Sequence, residues 1–289
     1  MAGGRGTRLS PITSIISKQL LLLYDKPMIY HPICTLMLCG IREILIITNE
    51  SNSFLFKELL GDGKRWGVNF SYAIQPNPEG VAQSILIGEE FIGKSPVALA
   101  LGDNFFHGNN LYDLLQKGNK RSQGCTIFAY PVSNPEKYGI VEFDQSGRAV
   151  NIEEKPENKN GNHAVTGLYF YDNSVIERVK CLSFSDRGEL EITSLNKNYL
   201  NDNNLNVEIF RRGITWLDAG TFESLHEASS YVRTLQNRQG LKIGCPEEIA
   251  WRQGWINVYD LKQLAKNNLN DEYRSYLLKL SEDRSTITK

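Results

Sequence analysis

The sequence predicts an α/β fold: a mixed, largely parallel sheet with helices on both faces, followed by a C-terminal helical extension. Three observations carry this. The runs Ile44-Leu45-Ile46-Ile47 and Val97-Ala98-Leu99-Ala100-Leu101 are continuously apolar, as strands covered on both faces must be. Segments of helical periodicity alternate with them, which is the pattern of helices crossing over a parallel sheet. From Phe222 onward the helical pattern continues without further strand signals.

In chain order, Pro27 to Cys39 reads as a helix, with Ile29, Ile33, Leu36 and Met37 on one face. Ile41 to Thr48 is a strand, Asn52 to Leu60 a helix closed by the turn Gly61-Asp62-Gly63, and Val68 to Ile74 an alternating strand. Val81 to Phe91 is helical and Val97 to Leu101 a buried strand ending at Gly102-Asp103-Asn104. The second half is richer in strands: Thr126 to Val132, Tyr138 to Phe143, Ala149 to Glu153, Val165 to Tyr171 and Asn206 to Phe210. Helices are expected at Ser174 to Val179 and Glu189 to Leu200. They are expected again after Phe222, where Leu225, Ala228, Val232 and Leu235 share a face. Glu247 to Gln253, Leu261 to Lys266 and Glu272 to Leu280 complete the helical tail, and polar Ser281 to Lys289 is expected to fray. No repeat or low-complexity linker interrupts this. The reading is one α/β domain over residues 1–240 and a helical extension, 241–289, packed upon it.

Composition narrows the function. A chain of 289 residues can bury a sizeable core, and a formal net charge of -1 argues against a broad nucleic-acid surface. No apolar run approaches the ~20 residues that span a bilayer, and the opening glycines and arginines do not resemble a secretory leader. The five cysteines (Cys34, Cys39, Cys125, Cys181, Cys245) lack C-x-x-C spacing, which favours small core residues in a reducing, cytoplasmic setting. The four histidines (His31, His107, His163, His226) show no metal-ligand spacing.

The most informative stretch is Ala2-Gly3-Gly4-Arg5-Gly6-Thr7-Arg8-Leu9, followed by Ser17-Lys18-Gln19. Glycine weakens helices and strands alike, so this density implies a loop that approaches something closely. Successive backbone N–H groups can converge on an anion, and Arg8 and Lys18 add positive charge. The reading is a polyphosphate site; a flexible glycine tail is the plainer alternative. The dinucleotide fingerprint fails because Leu9 stands where its last glycine belongs, and no P-loop spacing occurs. Asp103 lies just past the carboxyl end of a buried strand, where open α/β sheets bind ligands, although a turn aspartate would look the same. Asp218, in Trp216-Leu217-Asp218-Ala219-Gly220-Thr221, is a second carboxylate after an apolar stretch, or a cap for the next helix. Two converging carboxylates would suit Mg²⁺, with water and phosphate completing its shell. Gln75, in Gln75-Pro76-Asn77-Pro78, offers a donor and an acceptor to a pyrimidine edge, or is an ordinary loop residue.

Taken together, the glycine loop, Ser17-Lys18-Gln19, Tyr24 to Tyr30, Leu60 to Gly63, Leu101 to Asn104, Glu153 to Pro156, Gly188 to Thr193 and Trp216 to Asp218 resemble the sugar-nucleotide nucleotidyltransferases. The pattern is most similar to the glucose-1-phosphate thymidylyltransferases and runs to about Leu280. The resemblance implies the Rossmann-like fold of nucleotide-diphospho-sugar transferases. It also implies Mg²⁺-assisted transfer of thymidylate from dTTP to glucose 1-phosphate, yielding dTDP-glucose for dTDP-rhamnose and other deoxysugars. By the same resemblance, Ala2, Gly3, Gly4, Gly6, Thr7, Gln19, Gln75 and Gly80 bind the nucleotide. Arg8 and Lys18 hold the triphosphate, and Asp103 and Asp218 hold the metal. Lys155 takes the sugar phosphate, Glu154 the sugar hydroxyls, and Tyr138, Gly139, Val165 and Trp216 line the sugar side. A regulatory nucleotide-sugar site is implied at a subunit interface of a homotetramer, near His107, Gly108, Lys242, Gly244, Cys245 and Glu248; a purely structural helix start at Pro246 is the alternative.

The pattern departs from the family in three places. Val81 replaces the usual leucine, Ala219 stands where threonine is common, and Met1 stands immediately before Ala2 where the family has an apolar strand. The last departure predicts unpaired backbone on neighbouring strands, a weakened anchor for the glycine loop, and a natural start further upstream. Uridylyl transfer, a non-catalytic nucleotide-sugar sensor and an inactive product are the competing functional readings.

Overall fold

The computed structural model describes residues 1–157 and 161–282. The chain opens with the glycine loop and three short 3₁₀ turns, at Thr7–Leu9, Ile12–Ser14 and Lys18–Leu20. A small ribbon follows, β1 (Leu22–Leu23) and β2 (Lys26–Pro27), then α1 (Tyr30–Leu38), β3 (Glu43–Thr48), α2 (Ser53–Leu60) and β4 (Asn69–Ile74). Next come α3 (Gln83–Ile87), α4 (Glu89–Ile92), β5 (Val97–Ala100), β6 (Asn104–Gly108) and α5 (Leu111–Asn119). The strand-rich half is β7 (Cys125–Pro131), β8 (Gly139–Phe143), β9 (Ala149–Glu154) and β10 (His163–Tyr171). It continues through α6 (Val175–Lys180), α7 (Ile192–Asn201), β11 (Leu205–Ile209) and β12 (Ile214–Asp218). The chain closes with α8 (Phe222–Gln239), α9 (Pro246–Arg252), α10 (Val258–Asn267) and α11 (Asp271–Glu282).

The mixed sheet is as expected, but its parallel share is smaller. β3 runs parallel to β4 and β7 parallel to β11. The long β10 is antiparallel to β7, β8 and β5 and ties them into one sheet. A bulge between Val165 and Tyr169 lets β10 change neighbours. β6 and β12 form a separate antiparallel pair that the sequence reading missed. Both are short, and β6 begins with a polar asparagine and ends with a glycine. Helix α5 was also missed; it carries Gly118 inside its last turn, a poor helix former.

Other differences have local causes. The first helix begins at Tyr30 rather than Pro27, because Met28 and Ile29 donate their N–H groups to Leu21 and Gln19 instead. The helix expected from Val81 to Phe91 is broken at Gly88, whose backbone sits so close to Ser84 O and Leu45 that a Cβ would crowd both. α11 includes Ser281 and Glu282, while the rest of the tail expected to fray, 283–289, lies outside the described residues. Four of the five cysteines are buried and Cys181 is exposed. Among the described residues no helix is long and apolar enough to cross a membrane.

Helices α9 to α11 share a hydrophobic cluster with α1, β3 and β4. Ala250, Leu261 and Leu277 pack into the same core as Ile33, Ile44 and Phe56. Within the extension, Asn257 caps α10 through a reciprocal pair of bonds with Asp260.

The neighbourhood of the N-terminus is unusual. β3 pairs with β4 on one edge and β5 with β10 on one edge, and β3 and β5 do not pair with each other. Met1 and Ala2 link them through hydrogen bonds to both strands. The Ala2 N–H donates to Ile47 O at 2.7 Å, the Met1 amine to Ala100 O at 2.9 Å, and the Gly102 N–H to Met1 O at 2.9 Å. Ala2 bridges Thr48 in parallel register. The glycine loop therefore keeps a two-residue anchor on both strands. Behind that anchor lies a cavity of about 590 Å³ lined by Ile44, Leu45, Ile47, Val97, Leu99 and Phe91 among others. Five apolar residues placed ahead of Met1 would run along this slot, and each inward side chain so buried stabilises by about 1.5–3 kcal/mol. Such an extension is expected to raise Tm by about 5 °C or more, measured calorimetrically; a Gly/Ser extension of equal length should leave Tm unchanged.

Candidate nucleotide and sugar-phosphate site

The β6–β12 pair builds the centre of the site. Its register sets Asp218 opposite Asn104, and the Ala219 N–H donates to Asp103 O at 3.0 Å. Two carboxylates 115 positions apart in the chain, the difference between 218 and 103, thus meet at one strand end. Asn104 fixes this arrangement from below. Its Oδ1 accepts from the Trp216 indole at 2.6 Å and from the Gly167 N–H at 2.9 Å, and its Nδ2 donates to Asp103 Oδ1 at 3.0 Å. Gly167 lies in the β10 bulge, and a Cβ there would collide with the Asn104 amide. Trp216 is thereby a structural prop of the centre.

The two carboxylates differ electrostatically. Burial would raise the Asp103 pKa, but the charge and hydrogen bond of Lys18, with a bond from Asn104, more than offset this and hold it below the ordinary value. The Asp218 carboxyl is raised, chiefly by burial and further by the negative charge of Asp103. The Tyr138 hydroxyl, donating to Asp218 Oδ1 at 3.1 Å, and Arg8 oppose that rise. Burial and Asp218 push the Tyr138 phenol itself up to about 12.

The glycine loop faces this centre. Gly6 adopts φ +63° and starts the Thr7–Leu9 turn, and its carbonyl accepts from Thr13 Oγ1 at 2.8 Å. A Cβ on Gly220 would lie 3.0 Å from the Arg8 guanidinium and 3.5 Å from Asp218 Oδ2, which places Arg8 beside the second carboxylate. A Cβ on Gly4 would meet nothing within 4 Å. Gln19 is buried, accepts from Ser17 Oγ at 2.6 Å and lies against Gly102.

On the nucleotide side, Gln75 is buried beneath Gly3, where a Cβ would come within 2.1 Å of Gln75 Oε1. Gly80 has φ +104° and presses on the backbone of Leu190, where a Cβ would sit 2.3 Å from Leu190 O. Only glycine satisfies both conditions. Leu190 in turn donates its N–H to Glu79 O at 2.8 Å and accepts from the Ala82 N–H at 3.2 Å.

On the other side, Gly139 of β8 pairs with Glu154 of β9. Glu154 accepts from Thr193 Oγ1 at 2.6 Å and lies 3.7 Å from the Arg187 guanidinium. Lys155 follows in a left-handed conformation (φ +47°), its N–H held by Tyr138 O at 2.9 Å and its ammonium half-exposed. Val165 lies in β10 opposite Ala129. Thr193 and Arg187, both missed by the sequence reading, orient Glu154. Their signal was available only through the Gly188 to Thr193 motif, which Arg187 immediately precedes and Thr193 closes.

The six residues of the expected regulatory site lie at the end of β6, in the connection from α8 to α9 and in α9. His107 accepts from or donates to Tyr231 Oη at 3.2 Å, with Gly108 beside it at the end of β6. Lys242 pairs with Asp25 and Glu272. Cys245 is buried and receives the Tyr273 hydroxyl at 3.2 Å; Glu248 binds Arg252 at 2.8 Å and Tyr276 Oη at 2.5 Å. Between Gly244 and His107 lie His31, whose ring a Cβ on Gly244 would meet at 2.6 Å, and Phe105, edge-on to His31 and stacked on His107.

The family model described as nucleotidyl transferase matches residues 1–234. A glucose-1-phosphate thymidylyltransferase of Neisseria meningitidis is 55% identical over 280 residues, covering 97% of each chain. One from Xanthomonas campestris is 54% identical over 282 residues, covering 98% of this chain and 96% of that one. A Bacillus anthracis structure described as a glucose-1-phosphate thymidylyltransferase with sucrose superposes with a TM-score of 0.75 at 36% identity, over 80% of this chain and 93% of that one. Matched by this family model over residues 1–234 and by relatives more than half identical over nearly its whole length, the chain belongs to the nucleotidyl transferase family.

Proposed function

We propose that this cleft transfers thymidylate from dTTP to α-D-glucose 1-phosphate, giving dTDP-glucose and pyrophosphate. The carrying observation is the meeting of Asp103 and Asp218 at the mouth of the glycine loop, with Lys18 and Arg8 beside them. A sensor has no need of a carboxylate pair so placed, and the curated relatives are named for this reaction.

The pair fits a divalent cation. The Asp218 carboxyl is raised partly by the Asp103 charge, a repulsion that a cation would relieve. Among the described residues no cluster of three or more His, Cys, Asp or Glu side chains occurs, so water and phosphate would complete the shell, as Mg²⁺ prefers. Asp103 and Asp218 would hold Mg²⁺, which would neutralise charge on the phosphates when bound.

The rest is the work of the chain. The backbone of Gly3, Gly4, Gly6 and Thr7 would wrap the triphosphate, with Ala2 and Gln19 beneath. Arg8 and Lys18 would stabilise the departing pyrophosphate. Lys155 would hold the sugar phosphate so that its oxygen attacks the α-phosphorus of dTTP in line, the bond to pyrophosphate breaking as the new one forms. Glu154, Gly139, Tyr138 and Val165 would position the sugar. No covalent enzyme intermediate is needed. We place the catalytic unit in residues 1–240 and the helical extension in 241–289. Cytoplasmic supply of dTDP-rhamnose and related sugars is the role this product suggests, with homotetramer formation and feedback by such a sugar nucleotide at His107, Gly108, Lys242, Gly244, Cys245 and Glu248.

The test is pyrophosphate release with Mg²⁺, glucose 1-phosphate and each nucleotide triphosphate in turn. Release with dTTP supports the reading; release only with UTP transfers it to the uridylyl reaction; binding of dTTP without release supports the sensor. Asp103→Asn and Asp218→Asn should each lower kcat by about 10³-fold or more, Asp103→Asn also lowering Tm because it leaves Lys18 without its carboxylate, and EDTA should abolish release reversibly. Lys155→Met should raise the KM for glucose 1-phosphate well before that for dTTP. The pH profile has a definite sign. Tyr138 lowers the pKa of Asp218 by its hydrogen bond, so Tyr138→Phe raises it and shifts the acid limb of kcat/KM to higher pH.

A further inference from the structure

Lys18 follows a stretch that gives it little support. Ser10, Pro11, Ile12, Ser14 and Ile15 are all exposed, yet Ser17 is buried and Lys18 begins a 3₁₀ turn. The Lys18 ammonium pairs with Asp103, and its Cβ lies 3.5 Å from where a side chain on Gly6 would begin. Behind Lys18 the backbone is held by the Ile29 N–H, which donates to Gln19 O at 2.9 Å. Ahead of it the hold comes from a side chain distant in sequence. The Ser17 N–H donates to Asn52 Oδ1 at 2.9 Å.

Asn52 is buried, and it is oriented in its turn. Asn49, just past β3, caps the turn Glu50–Asn52: its Oδ1 accepts the Asn52 N–H at 3.0 Å. The same oxygen accepts Asn52 Nδ2, also at 3.0 Å. A carbonyl oxygen only accepts, so the Asn52 amide must turn its nitrogen to Asn49 and its oxygen to Ser17. A flip would set oxygen against oxygen at Asn49 and donor against donor at Ser17, both in a buried place. The same strand end holds the glycine loop, since Ala2 bridges Thr48. The carboxyl end of β3 therefore brackets both segments of chain that would meet the triphosphate.

We propose that Asn52, oriented by Asn49, is a positioning residue: it fixes the backbone from which Lys18 reaches the triphosphate. This rests on the nucleotidyl-transfer reading of the same cleft. A lysine carries its charge on a flexible four-carbon stem, so the charge is placed only as well as the root of that stem. With Ser17 tied to Asn52, the ammonium swings between Asp103 and the departing phosphates about a fixed pivot. Without the tie, the exposed stretch ahead of Ser17 pulls on that pivot. A misplacement of about 1 Å at such a group costs up to about 100-fold in rate.

The experiment compares the full chain with Asn52→Leu, Asn52→Asp, Asn49→Ala, Lys18→Met and the double variant Lys18→Met/Asn52→Leu. Pyrophosphate release is measured with dTTP and glucose 1-phosphate, and direct binding with dTTP and dTMP. Asn52→Leu should lower kcat about tenfold or more, with the KM for glucose 1-phosphate within about threefold, and should cut the preference for dTTP over dTMP about fivefold. Asn52→Asp keeps an acceptor for the Ser17 N–H and should recover both readouts to within about threefold. Asn49→Ala removes only the orienting group; it should move both readouts the same way by a smaller factor, and it carries the test if Asn52→Leu does not fold. In the Lys18→Met background, Asn52→Leu should lower kcat by less than about twofold more. A loss of equal size in both backgrounds, or no recovery in Asn52→Asp at unchanged Tm, would overturn the positioning role and leave the reaction standing. A preference for dTTP over dTMP that follows Asn52 without any pyrophosphate release would uphold the positioning role and overturn the reaction instead.

Discussion

The site depends on one antiparallel pairing, β6 with β12. Everything chemical in the cleft is referred to it. The ladder brings Asp218 beside Asp103, and the side chain of Asn104 locks both strands to the β10 bulge through Trp216 and Gly167. Without that register the two carboxylates would be separate turn residues, each with an ordinary structural explanation. With it, two like charges are held in a partly buried place, and their titration is driven apart by Lys18 on one side and burial on the other. Perturbed carboxyl groups so placed mark a candidate functional site.

Much of the fold could be read from apolar periodicity. The buried strands β3 and β5 and the long helix α8 announce themselves because burial on both faces, or on one helical stripe, dictates residue choice. The β6–β12 pair could not be read that way. Each strand is five residues long, and their partners are fixed by side-chain hydrogen bonds of Asn104 rather than by alternation. The same holds for the site. Asp103, Asp218, Arg8 and Lys18 were nameable from motif and resemblance, but their convergence was not, since it is a property of tertiary register. Thr193, Arg187, Asn49 and Asn52 act by orienting other polar groups, and nothing in local spacing marks a residue that works through a second one.

The N-terminal slot shows the opposite case, where sequence and structure agree on a local conflict. The expectation of unpaired backbone beside Ala2 is met by two strand edges with a cavity between them. Yet the glycine loop is not adrift. Two residues suffice to tie it to β3 and β5, because each supplies hydrogen bonds to a strand end whose register is already set by β4 or β10.

The contact of Gly80 with Leu190 has a further consequence. The segment that begins at Leu190 reaches Thr193 three residues later, and Thr193 holds Glu154. One short span of chain therefore backs the base-side loop at its start and the sugar-side carboxylate at its end. The two walls of the cleft are mechanically a single part. A substitution that moves this span to admit a larger base would also tilt the carboxylate across from it. Re-engineering toward a new nucleotide and toward a new sugar are then coupled problems, to be solved together around residues 190–193 rather than one pocket at a time.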